Sequence, residues 1–226
     1  MRRSFQGFPV GESRSGSPTR TGSRGAAVWP VLLAGLVLWA AGCSGGSGTD
    51  RVKPHDAGAQ ALADYDTNKD GFLDAKELEA CPALLSALKK IDKNNDGKLS
   101  PDEIAERLAY FQQSGMQLNV VADIYLDGRP LGGATVTLVP EKFMGPTTKP
   151  ATATTDDGGT GVFRIEGSGD PVAPGYYRVK VSKNVGGRET VPAKYNEQTT
   201  LGQEIVPEGA GRGSMLTVRL RLSSGR

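Results

Sequence analysis

Two twelve-residue stretches carry oxygen side chains at the same offsets. The first is Asp66-Thr-Asn-Lys-Asp-Gly-Phe-Leu-Asp-Ala-Lys-Glu77 and the second Asp92-Lys-Asn-Asn-Asp-Gly-Lys-Leu-Ser-Pro-Asp-Glu103. Positions 1, 3 and 5 are Asp66, Asn68 and Asp70 in one, and Asp92, Asn94 and Asp96 in the other. Position 9 is Asp74 or Ser100, and position 12 is Glu77 or Glu103. Such a donor set holds a hard cation and makes or breaks no bond. Calcium takes about 6–8 oxygens at about 2.3–2.6 Å, and a short loop supplies them only by curling around the ion. The backbone carbonyls of Phe72 and Lys98, at position 7, add a ligand that needs no particular side chain. Gly71 and Gly97 permit the sharp turn that a Cβ would oppose. The spacing thus predicts two Ca2+ sites. Loop one has four carboxylates at ligand positions and loop two has three, so the first site is expected to be the tighter. The alternative is a pair of solvated acidic turns that hold no metal.

These elements need helices on either side. Both loops fit D-x-[DN]-x-[DN]-G-x5-E and resemble the EF-hand calcium-binding family over about Ala57 to Phe111. The resemblance implies that Leu73 and Leu99, at position 8, pair in a small antiparallel ribbon and enter a shared core. Leu78 to Ile91 must hold the outgoing helix of one hand and the incoming helix of the next in 14 residues. Cys81-Pro82 is expected to end the first of these, since proline disfavours helical geometry in the residue before it. Leu84, Leu85, Leu88 and Ile91 then repeat at helical spacing. The helix before loop one spans about Ala57 to Tyr65. A pair this small, with only Met116 nearby, has no broad Met-rich groove. A compact site is expected, and not a sensor.

The first 50 residues speak to compartment. Arg2, Arg3, Arg14, Arg20 and Arg24 are opposed only by Glu12, and an apolar run follows from Ala26 to Gly42. Basic, then apolar, then small residues is the order of a secretory signal. Ala40-Ala-Gly-Cys43 resembles the lipobox of bacterial lipoproteins, which implies cleavage after residue 42 and lipid on Cys43. An uncleaved N-terminal anchor is the alternative, and either puts the globular part outside the cytoplasm. The expected organisation is a signal peptide at 1–42, a flexible tether at 43–56, an EF-hand pair at 57–112 and a β-sandwich at 117–223. The whole chain has 27 Lys and Arg against 25 Asp and Glu; five Arg and one Glu fall in the signal. The remainder has 22 bases and 24 acids, so the basic excess carries no message about nucleic acid. With Cys43 lipidated, Cys81 has no partner, and a buried small hydrophobe is its expected role.

After Gln117 the hydrophobic period changes to two. Leu118, Val120, Ala122 and Ile124 alternate with Asn119, Val121, Asp123 and Tyr125. Ala134 to Leu138, Phe163 to Ile165, Tyr177 to Val181 and Leu216 to Leu222 repeat the pattern, with turn signals at Asp127-Gly128, Asp156-Asp-Gly-Gly159 and Asn184-Val-Gly-Gly187. This predicts an all-β antiparallel two-sheet sandwich. Leu126-Asp-Gly-Arg-Pro-Leu-Gly-Gly-Ala-Thr-Val-Thr-Leu-Val-Pro140, Thr154-Thr-Asp-Asp-Gly-Gly159 and Pro174-Gly-Tyr-Tyr-Arg-Val-Lys-Val181 look like the carboxypeptidase regulatory-like, transthyretin-like sandwich. Val191-Pro-Ala-Lys-Tyr-Asn196 resembles the tail of versions found on bacterial lipoproteins. The family implies a non-catalytic module for folding, adhesion or carbohydrate contact. Its hydrolytic branch relies on histidines and a C-terminal Tyr-Arg-Gly-Ser. Here the one histidine is His55, in the linker, and the chain ends Leu222-Ser-Ser-Gly-Arg226.

No Ser/His/Asp set, zinc spacing or phosphate loop can be assembled. Tyr176, Tyr177 and Tyr195 could stack on sugar rings, although strand or core positions explain them more simply. The resulting expectation is a calcium-binding, lipid-anchored envelope protein, not an enzyme, that contacts an envelope protein or a glycan. A spacer in which calcium only stabilises the fold is the alternative.

Overall fold

The structure, a computed structural model, describes residues 52–114, 117–207 and 215–225. The expected signal peptide, Cys43 and Met116 lie outside the described residues.

Three helices come first. Helix α1 (Pro54–Tyr65) has proline in its first turn, where the missing N–H costs no hydrogen bond, and stops at Asp66. It turns Ala57, Ala61 and Tyr65 inward at intervals of four. A Cβ on Gly58 would lie 2.2 Å from the Pro101 carbonyl oxygen, so this glycine lets α1 approach the start of the helix that begins at Pro101. After loop one there is room for only a single 3-10 turn, Glu77–Ala80. Helix α2 (Pro82–Ile91) restarts on proline after the extended Cys81, as Cys81-Pro82 predicts. Its buried face is Ala83, Leu84, Ala87 and Ile91. Leu85, expected on that face, is exposed and Leu88 only partly buried, because the alanines let α2 lie closer to its neighbours. Helix α3 (Pro101–Ser114) follows loop two. His55, expected in a linker, stands exposed in the first turn of α1 beside Asp56.

Eleven strands follow: β1 (Asn119–Leu126), β2 (Arg129–Pro130), β3 (Thr135–Pro140), β4 (Ala151–Thr154), β5 (Thr160–Val162), β6 (Arg164–Ile165), β7 (Gly175–Ser182), β8 (Asn184–Val185), β9 (Arg188–Glu189), β10 (Gly202–Ile205) and β11 (Met215–Leu222). One sheet has β1 between β11 and the pair β2 and β5; the other runs β10-β7-β3-β4-β6; β8 and β9 form a separate ribbon. Phe163, fully buried, is the corner where the chain passes from β5 in one sheet to β6 in the other. The alternating residues Leu118, Val120, Ala122, Ile124, Val136, Leu138, Val179, Val181 and Val218 fill the space between the sheets. Among the described residues the pairing is antiparallel except for β1 and β11, which run parallel from Asn119↔Met215 to Leu126↔Leu222.

The helices and the sandwich share a second core. Successive residues of a strand face opposite ways, so Tyr177 enters the sandwich while Tyr176 faces out, yet both are fully buried. Tyr176 joins Phe143, Met144 and Val206 against Tyr65, Leu84, Leu108 and Phe111 of the helices. The Tyr176 ring lies 5.7 Å from that of Phe111 and 5.8 Å from that of Phe143. No helix of the described residues is long and apolar enough to cross a membrane.

Candidate metal centre

Each loop is shaped by its own carboxylates. In loop one, Asp66 accepts the amides of Lys69 (2.6 Å) and Gly71 (3.0 Å), Asn68 Oδ1 that of Asp70 (2.8 Å), and Asp70 Oδ1 that of Phe72 (3.0 Å). Loop two repeats this: Asp92 accepts the Gly97 amide (2.9 Å), Asn94 that of Asp96 (3.0 Å) and Asp96 that of Lys98 (2.8 Å). Gly71 and Gly97 have φ of 85° and 80°, the left-handed turn expected at position 6. Lys69 and Asn95, at position 4, take φ of 60° and 59°.

Positions 9 and 12 serve the helix that follows. The Asp74 carboxylate accepts the amides of Lys76 and Glu77, and Glu77 in turn accepts that of Asp74 (3.1 Å). Ser100 Oγ accepts the Glu103 amide while Glu103 accepts the Ser100 amide (2.9 Å) and hydroxyl. These are reciprocal capping boxes, and they satisfy amides that a helix start leaves orphaned. The same glutamates close their loops. Glu77 Oε1 takes the amides of Thr67 and Asn68, and Glu103 Oε1 that of Lys93. Backbone amides, that of Asp74 foremost, hold the Glu77 carboxyl below its ordinary range. Burial pushes Glu103 up, but amides from Ser100 and Lys93 outweigh it and the net shift is down. Leu73 and Leu99, both fully buried, exchange two 2.9 Å hydrogen bonds across the loops. Lys98 reaches from loop two to Asp70 at 2.8 Å and lies over the Phe72 ring, which holds the Asp70 carboxyl low.

The residues fit a hard cation. Both loops present oxygen donors only, in one repeated geometry. Asp92 Oδ1 is buried with no hydrogen-bond partner, an atom whose lone pairs await a donor or a positive charge. No group of three His, Cys, Asp or Glu is gathered among the described residues. The donor set spreads over Asn, Ser and backbone carbonyls as well as carboxylates, and the glutamates lie on the loop amides.

Residues 59–82 and 85–108 match the EF-hand family model. The two matches contain both twelve-residue loops whole and parts of the helices that flank them. No curated protein matches the chain. Among solved structures, the full-length major pilin SpaD from Corynebacterium diphtheriae is similar at 15% identity and a TM-score of 0.31, over 48% of this chain and 30% of the pilin. The EF-hand matches suggest calcium binding.

Two carboxylates that belong to no motif lie where the sandwich meets the helices. Glu141 and Glu204 are 3% and 4% exposed. Glu141 Oε2 accepts hydrogen bonds from the Tyr65 hydroxyl (3.0 Å) and Arg178 Nε (3.1 Å), and Arg178 also donates to the Ala80 carbonyl. Glu204 is gripped by Arg107 through Nε (2.9 Å) and Nη2 (3.1 Å), by Lys90 (3.4 Å) and by the Tyr176 hydroxyl (3.3 Å). Tyr176 and Tyr177 are core residues, and Tyr195 is half-buried with its hydroxyl accepting the Ser223 amide. Asp156 caps its own turn through the amides of Gly158 and Thr160.

Proposed function

We propose that the chain is a lipid-anchored, extracytoplasmic calcium-binding protein whose sandwich is a non-catalytic binding or adhesion module. Calcium, when bound, supplies a fixed positive centre that draws the carboxylates of each loop together. The observation that carries the reading is the repeated loop: two twelve-residue segments with the same carboxylate-to-amide pattern, joined by the Leu73–Leu99 bridge. The ligands are Asp66, Asn68, Asp70, Asp74 and Glu77 with the Phe72 carbonyl, and Asp92, Asn94, Asp96, Ser100 and Glu103 with the Lys98 carbonyl. Envelope location and the membrane anchor are supported by the basic-apolar-Cys43 order. The partner is an envelope protein or a glycan, and not nucleic acid. Absence of catalysis is supported by the single histidine, exposed on α1, and by the burial of Cys81.

The spacer reading draws support from the shared core of helices and sandwich, which gives calcium a structural role in either case. Isothermal titration of the unaltered chain should resolve two calcium sites, with Glu77→Gln removing the tighter and Glu103→Gln the weaker. Unchanged binding in both variants overturns the calcium reading. Labelled palmitate should enter the protein and be lost with Cys43→Ser; label that persists overturns the anchor.

A further inference from the structure

We infer that the sandwich is a brace for the calcium loops, with Glu141 setting the first hand and Glu204 the second. The inference rests on the calcium reading and adds to it the residues that position the sites. Each buried carboxylate joins the segments entering and leaving one loop. Tyr65, bound to Glu141, immediately precedes Asp66, and Ala80, bound through the Glu141 partner Arg178, lies three residues after Glu77. Lys90 lies two residues before Asp92 and Arg107 four after Glu103, and both are bound to Glu204. A calcium loop closes only when its incoming and outgoing segments hold a fixed angle, and an EF-hand that opens does so by changing that angle. Here both ends of the second hand are tied to Glu204 of β10, and those of the first to Glu141, just past the end of β3, and to its partner Arg178 of β7.

Packing around the ties gives them little play. A Cβ on Gly202 of β10 would lie 2.0 Å from the Pro82 carbonyl carbon, so the start of α2 rests directly on the strand backbone. Arg107 is held over the rings of Tyr110 and Phe111 at 5.7 and 5.2 Å. Tyr176, between the two carboxylates in the same interface, fills the space under α3. Removing a tie frees one helix end, and the loop must then recover the lost order when it binds calcium. That ordering is a coupling between distant groups and reduces affinity by about five-fold or more.

The test is calcium titration of the full chain with one site silenced at a time. With Glu77→Gln leaving only the second site, Glu204→Gln and Arg107→Met should each weaken binding about five-fold or more, and Glu141→Gln less than about two-fold. With Glu103→Gln leaving only the first site, the order reverses. Arg107→Met decides between bracing and charge. Deleting a cation near an anionic site tightens calcium binding if charge alone acts, and weakens it if the brace acts. Circular dichroism checks folding; where a Glu204 or Arg107 variant does not fold, Lys90→Met removes a half-exposed tie and should weaken the second site in the same sense. Binding by the unaltered chain together with unchanged or tighter binding in Arg107→Met, or equal losses at both sites from either carboxylate, overturns the brace. Absence of binding in the unaltered chain overturns the calcium reading itself, and the brace with it.

Discussion

Cys81 sits fully buried between the two hands, close to Glu141 and Arg178. Burial first, and the negative charge of Glu141 second, push its thiol up to about 12. Thiolate is the reactive form, so at pH 8 almost none is present in the folded protein. In a Cys43→Ser background at pH 8, iodoacetamide should label Cys81 in the folded protein about a hundred-fold or more slowly than in the urea-unfolded chain; equal rates would show an open thiol. The role of Cys81 as a small buried hydrophobe was legible from its lack of a partner. Glu141 and Glu204 were not legible. Neither belongs to a motif of its own, and the partners of Glu204 lie as far as 114 residues away. Sequence pattern reports only neighbours. The carboxylate-to-amide pattern of the two loops follows from their spacing, because its partners lie within the same twelve residues. Removing Arg107 leaves the buried Glu204 carboxylate with only Lys90 and the Tyr176 hydroxyl, which should cost about 3 kcal/mol, read as a lower urea midpoint of Arg107→Met.

Between elements, Gly202 marks where α2 meets β10. Alanine there drives a methyl group into the Pro82 backbone, and backbone cannot rotate aside as a side chain can. Gly202→Ala should destabilise the protein by about 1–3 kcal/mol by overpacking, seen as a lower midpoint in urea with little change in slope. A neutral effect would place α2 farther from the strand. The break at Cys81-Pro82, the alternating strands β1, β3, β7 and β11 and the turn at Asp156-Gly159 follow from local chemistry, whereas β4 and β10, which carry no clean apolar alternation, do not. The parallel pairing of β1 with β11 does not, since alternation gives each strand a buried face without naming its neighbour. Nor does the burial of both faces at the start of β7. The pattern there shows Tyr176 and Tyr177 side by side, and only the helices packed outside the sheet explain why both are apolar and covered.

At the scale of the whole described chain, the three helices and the sandwich belong to one compact unit over the described residues. The sequence divides at Gln117 because the hydrophobic period changes there, and that division marks a change of element type. The second core ignores it, with Phe143, Met144, Tyr176 and Val206 supplied from one side and α1, α2 and α3 from the other. Helical and β signals should therefore unfold together. A ligand that binds the folded form alone must raise its stability by mass action. One calcium site held at ten times its dissociation constant should lift the midpoint of a chain this size by about 3–6 °C. The decisive measurement is a thermal melt of the full chain in 10 mM calcium and again in EDTA, followed by far-ultraviolet circular dichroism and tyrosine fluorescence. The account predicts one transition by both probes, higher by several degrees with calcium; an identical midpoint in calcium and in EDTA would contradict it.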